Sequence, residues 1–105
     1  MPETLVSLDL ETTGLDPDND AIIEIGAVKL RNEHVTDEFQ EFVNPGRRIP
    51  SFVTQLTGIT NDKVADAPPL AEVLPRLINF VGTAPVLGHN VGFDLGFLRK
   101  QGALP

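Results

Sequence analysis

Leu5-Val6-Ser7-Leu8-Asp9-Leu10-Glu11-Thr12-Thr13-Gly14 runs from an apolar segment into two carboxylates and a glycine turn. The near-continuous apolar run over residues 5–10 is expected to be a central strand buried on both faces. On a strand, residues two apart share a face, so Asp9 and Glu11 project together. Two anions side by side repel, and burying them unpaired is costly. A divalent cation removes both difficulties, and hard Mg²⁺ or Mn²⁺ prefers carboxylate oxygens. Taken alone, an Asp-x-Glu pair fits a solvated strand end better than a metal site. The following loop, Thr12-Thr13-Gly14, offers amides and hydroxyls near the carboxylates, and Gly14 permits close backbone approach.

Working outward, Thr12 to Asp20 holds a glycine, a proline and three aspartates and is expected to be a loop. Ile22 to Leu30 is a second strand, and Arg31-Asn32-Glu33 a turn. From Val35 to Val43 polar and apolar residues alternate, placing Val35, Phe39 and Val43 on one face of a strand with one wet side. An antiparallel meander of three strands follows. Asn44-Pro45-Gly46 ends it, and Pro50 to Leu56 is a short helix. Asp66 to Pro69 is a linker. Leu70, Val73, Leu74, Leu77, Ile78 and Val81 have helical spacing, with Pro75 kinking the helix or lying near its first turn. Val86 to His89 is a fourth short strand. Asn90 caps a last helix whose inner side carries Phe93, Phe97 and Leu98.

Asp94 falls on the first turn of that helix, where the dipole favours an anion, so capping is the plain reading. His89 alone fits a satisfied strand-end histidine. The informative feature is the ordered combination of Asp9, Glu11, His89-Asn90 and Asp94 in strand and helix settings. Asp16, Asp18 and Asp20 have the alternate spacing of a calcium loop. Ala21 and Ala27 stand where an EF-hand needs glycine and a bidentate glutamate, so a surface turn is expected instead. Glu24 reads as a structural strand residue near the substrate at most; Arg47, Arg48 and His34 need no role.

Asp9-Leu10-Glu11-Thr12-Thr13-Gly14 resembles the first motif of the DEDD family of 3′–5′ exonucleases, in particular the proofreading subunit of bacterial DNA polymerase III and its relatives. Ile22-Ile23-Glu24-Ile25-Gly26-Ala27-Val28 is similar to that family's second strand. Leu56-Thr57-Gly58-Ile59-Thr60 is similar to its central segment, and His89-Asn90-Val91-Gly92-Phe93-Asp94 to its second motif. The resemblance implies an α/β, ribonuclease-H-like mixed sheet with flanking helices. It implies two divalent cations, Mg²⁺ or Mn²⁺, about 4 Å apart. Asp9 would bridge them, Glu11 would complete one site, and Asp94 would bind the other directly or through water. Thr12, Thr13, Gly14 and Leu15 would hold the 3′-terminal nucleotide, with His89 and Asn90 beside the substrate. Leu56, Ile59 or Phe93 would press on the last bases. The family's third motif, a histidine base and a fourth aspartate, has no counterpart within the 105 residues. One incomplete domain over residues 1–105 is therefore expected, truncated before the fifth strand, with impaired activity.

A net charge of −7 argues against coating long DNA electrostatically, but not against gripping a few nucleotides through bound cations. Apolar residues make up 41%, enough for a core, and no stretch approaches the roughly 20 needed to span a membrane. The chain has no cysteine, which excludes disulfides and thiolate metal sites. The short acidic start argues against a secretory signal, so a cytoplasmic location is expected. The expected partner is the 3′ end of a single-stranded nucleic acid, with a polymerase or helicase domain attached and self-association through an open sheet edge. RNA in place of DNA, and a non-catalytic binding or assembly module, remain open alternatives.

Overall fold

Three long strands carry the molecule: β1 (Thr4–Thr12), β2 (Ile22–Arg31) and β3 (His34–Phe42), paired antiparallel in sequence order. The computed structural model describes residues 3–88 and 91–100. A two-residue turn joins β2 to β3, with Asn32 and Glu33 both at positive φ (53° and 65°), the hand that matches strand twist. The short β4 (Val86–Leu87) lies parallel to β1 and closes the order β3-β2-β1-β4. Among the described residues the sheet is mixed and four-stranded, with helices beside it, as expected for the fold class.

One face of β1 is apolar. Val6, Leu8 and Leu10 pack with Ile25 and Ala27 of β2 beneath two helices, α3 (Leu70–Val81) and α4 (Val91–Lys100). The covering residues are Val73, Leu74 and Leu77 from α3 and Phe97 and Leu98 from α4. The helical spacing of residues 70–81 holds, and Pro75 lies inside the helix.

The expectation that β1 is buried on both faces fails. Ser7 is half-buried and Asp9 exposed, and their cross-strand rows include Glu38, Gly26 and Gln40. Ser7 sits in the row Val28–Glu38, Asp9 in the row Gly26–Gln40 and Glu11 beside Glu24. The sheet thus leaves an open polar face at the carboxylates. A second correction concerns Val35, which is exposed rather than aligned with Phe39. Lys29 pairs with Asp37 but Leu30 pairs with Val35, so Thr36 is an extra residue. A bulge of this kind reverses the alternation beyond it.

A further bulge shapes the site. Glu11 pairs with Glu24 and Thr12 with Ile22, leaving Ile23 as the extra residue of β2. Ile23 enters a second core with Ile49, Val53, Ile59 and Val64. Val53 belongs to α1 (Ser51–Thr57) and Val64 to α2 (Asn61–Ala65). This small core anchors α1 beside the end of β1. Helix α1 stops at Gly58, whose φ of 78° suits a residue without a side chain. Helix α2, absent from the sequence expectations, is capped by Thr60, which accepts from the Lys63 amide at 3.2 Å. No helix among the described residues is long and apolar enough to cross a membrane.

Candidate active site

Asp9 and Glu11 stand on the open face of β1, and the bulge that follows them starts the loop to β2. Helix α4 packs against β1 and brings Asp94, on its first turn, within range of the charges of Asp9 and Glu11. Asp94 is only 4% exposed. Burial pushes its carboxyl up to about 6, with further contributions from the charges of Asp9 and then Glu11. The Glu11 carboxyl is also raised, first by burial, then by Asp9 and Glu24. The three carboxylates expected from the sequence therefore lie within range of each other's charge.

Glu24, expected to be a structural strand residue near the substrate at most, adds a fourth carboxylate at this end of the sheet. It sits directly opposite Glu11, and the Gln40 side-chain amide donates to it at 2.8 Å. Its proximity follows from the register of the β1–β2 ladder, with Leu10 opposite Ile25 and Glu11 opposite Glu24, which strand alternation alone does not reveal.

The chemistry of Asp9, Glu11 and Asp94 suits a hard cation, since all three side chains offer only carboxylate oxygen. Mutual repulsion at a partly buried place is the condition that such an ion relieves. Among the described residues, no three acidic or histidine side chains converge closely enough to hold a metal ion between them.

Beside the carboxylates opens a cleft of about 670 Å³. Glu11, Thr12, Gly14 and Leu15 form one wall, Phe52 and Leu56 of α1 another, and Phe93 of α4 contributes to its lining. Leu15 (83% exposed), Phe52 (63%) and Leu56 (85%) present unusual apolar surface to solvent. Phe52 was not among the expected residues. Its signal was available: Phe52 and Leu56 are four apart on a helix, with Val53 between them turned to the core.

Two expected substrate contacts lie elsewhere. Ile59 is 3% exposed and packs in the second core, because the left-handed turn at Gly58 leads the chain inward. Thr13 is buried, and its hydroxyl is occupied: it donates to Asp20 Oδ1 at 3.1 Å and accepts from the Ala21 amide at 2.9 Å. The Thr12 hydroxyl donates to the Gly14 carbonyl at 2.6 Å. Phe93 is half-buried against Phe97, ring centres 4.9 Å apart. His89 and Asn90 lie outside the described residues.

Residues 6–103 match the model of the exonuclease family. The PolC-type DNA polymerase III of Caldanaerobacter subterraneus subsp. tengcongensis is 49% identical over 96 residues, which is 91% of this chain and 7% of that polymerase. The chain thus spans a small fraction of the relative's length. Among solved structures, the nuclease domain of 3′hExo, a DEDDh family member bound to rAMP, superposes with a TM-score of 0.82 at 28% identity. That match covers 95% of this chain and 58% of the other. Exonuclease X in complex with 5′ overhanging duplex DNA gives 0.75 at 29% identity, covering 89% and 52%.

Proposed function

Because this chain belongs to the exonuclease family, we propose that it carries the metal-holding and 3′-end-binding part of a 3′–5′ exonuclease acting on single-stranded DNA. The observation behind this reading is the buried Asp94 within range of the charges of Asp9 and Glu11, of which Glu11 lines an open apolar cleft. Likeness to a PolC-type polymerase supports DNA as substrate and a polymerase as the attached partner.

Asp9, Glu11 and Asp94 would hold Mg²⁺ or Mn²⁺, with Glu24, opposite Glu11 on β2, adding negative potential. When bound, these ions supply Lewis acidity to the phosphate and lower the pKa of water at the site. The chain's own residues do the rest. Thr12, Gly14 and Leu15 form the wall against which the terminal nucleotide lies. Phe52, Leu56 and Phe93 offer apolar surface to the last bases, a contact indifferent to sequence. The face is open enough for a flexible 3′ end, while a net charge of −7 leaves the cations as the main attraction for phosphate.

The test is a 5′-labelled single strand incubated with Mn²⁺. Shortening from the 3′ end is expected, slow in the 105-residue chain and abolished by Asp9→Ala. A longer chain supplying a histidine and an aspartate should be faster by the roughly 10²–10⁴-fold that a general base contributes. Inactivity of the longer chain would favour a binding module. A strong preference for RNA ends would favour a ribonuclease, a reading prompted by likeness to the nuclease domain bound to rAMP.

A further inference from the structure

The loop between β1 and β2 is organised around one side chain that the proposed chemistry does not use. Asp20 accepts from the Thr13 hydroxyl through Oδ1 (3.1 Å) and from the Asp16 amide through Oδ2 (3.0 Å). Thr13 is itself tied to Ala21 by its amide (2.8 Å to the carbonyl) and its hydroxyl (2.9 Å from the amide). The Asp20 amide donates to the Asp16 carbonyl at 2.7 Å, closing the loop a second time. A side chain at residue 14 has no room under this arrangement. A Cβ on Gly14 would lie 2.3 Å from Asp20 Oδ2 and 2.6 Å from its carboxyl carbon.

We propose that Asp20 is a positioning residue for the 3′-terminal nucleotide: its carboxylate, bonded to Thr13 and the Asp16 amide and seated on Gly14, sets the Thr12–Leu15 wall of the cleft. The proposal rests on the exonuclease reading. Its basis is that Thr12, Gly14, Leu15, Asp16 and Asp20 line the same cleft as Glu11. Hydrogen bonds to a charged acceptor are the strong ones, and one carboxylate here joins both ends of the loop. Thr13 then serves the nucleotide through Asp20, without touching it. Gly14 is required for close approach, and its φ lies outside the left-handed region.

The probe is thymidine 5′-monophosphate with Mg²⁺, followed by NMR titration, with Mn²⁺ affinity measured in parallel. Asp20→Ala should weaken nucleotide binding by roughly tenfold, the loss of 1.4 kcal/mol. Mn²⁺ affinity should stay within about twofold, because Asp20 is not one of the proposed ligands. Asp20→Asn keeps the acceptor for Thr13 but turns an amide toward the Asp16 N–H, and should fall between. Gly14→Ala should weaken binding in the Asp20 protein and add little once Asp20 is alanine, because the obstructing carboxylate is gone. Where Asp20→Ala does not fold, Asp20→Asn carries the same comparison.

Nucleotide binding unchanged in Asp20→Ala overturns the positioning role alone. Parallel loss of Mn²⁺ affinity also overturns it, assigning Asp20 to the fold as a whole. No nucleotide binding by the unsubstituted chain overturns the exonuclease reading and the positioning role together.

Discussion

Asp94→Asn should raise the stability of the metal-free protein at neutral pH. In the folded chain the Asp94 carboxyl holds its proton to about pH 6, against an ordinary value of 3.8. Each factor of ten in proton affinity is worth about 1.4 kcal/mol, so this difference corresponds to about 3 kcal/mol. The sign follows from proton counting. Between pH 3.8 and about 6 the unfolded chain has released the proton while the folded chain keeps it, so stability falls as pH rises. Above about 6 the full penalty applies. The dipole of α4 opposes it, by roughly 0.3–1 kcal/mol, and is outweighed by burial beside Asp9 and Glu11. Asparagine carries no charge, so the variant should be more stable at pH 7.5 by on the order of 1–3 kcal/mol. Its decline between pH 4 and 7 should be shallower, reduced to the part that the raised Glu11 carboxyl contributes. Urea denaturation followed by circular dichroism in EDTA, at half-unit pH steps, measures both. A variant less stable than the parent at pH 7.5, or parallel pH profiles for the two proteins, would refute the reasoning.

Phe97→Ala empties a fully buried position where α4 meets the sheet and should cost about 3–5 kcal/mol, read from denaturant midpoints. Phe52→Ala and Leu56→Ala should each leave stability within about 0.5 kcal/mol, since both side chains are largely exposed. The same variants should weaken binding of a single-stranded oligonucleotide, by about 1–3 kcal/mol where a base stacks on Phe52, measured by fluorescence anisotropy. Among the described residues β4 lies at the end of the sheet, with Leu87 and Ile78 about half exposed. Light scattering should show self-association at high concentration, reduced by Leu87→Lys; a monomer throughout would count against it.

Much of this molecule was legible because its signals were local. The meander, the helix over residues 70–81 and the inner positions Phe97 and Leu98 follow directly from apolar periodicity. Asp9, Glu11 and Asp94 were found from order and setting, and the fold brings their charges together. What escaped depends on bulges and turns. One extra residue at Thr36 moved Val35 off the expected face, and the register of the β1–β2 ladder set Glu24 against Glu11. Gly58 sent Ile59 into the core, although its neighbour Leu56 stayed on the cleft. Thr13 looked like a nucleotide contact because nothing in the sequence shows that Asp20, seven residues on, occupies its hydroxyl. Helix α2 was missed although Thr60 is an ordinary N-cap residue, since five residues are too few to display an apolar period.

The most direct measurement is a calorimetric Mn²⁺ titration at pH 7.5 of the unsubstituted chain, Asp9→Ala and Asp94→Asn. Three carboxylates that repel one another without a cation should bind Mn²⁺ measurably together, and the binding should be lost or sharply weakened when either strand or helix ligand is removed. Indistinguishable titrations for all three proteins would contradict the assignment of Asp9, Glu11 and Asp94 as a metal site.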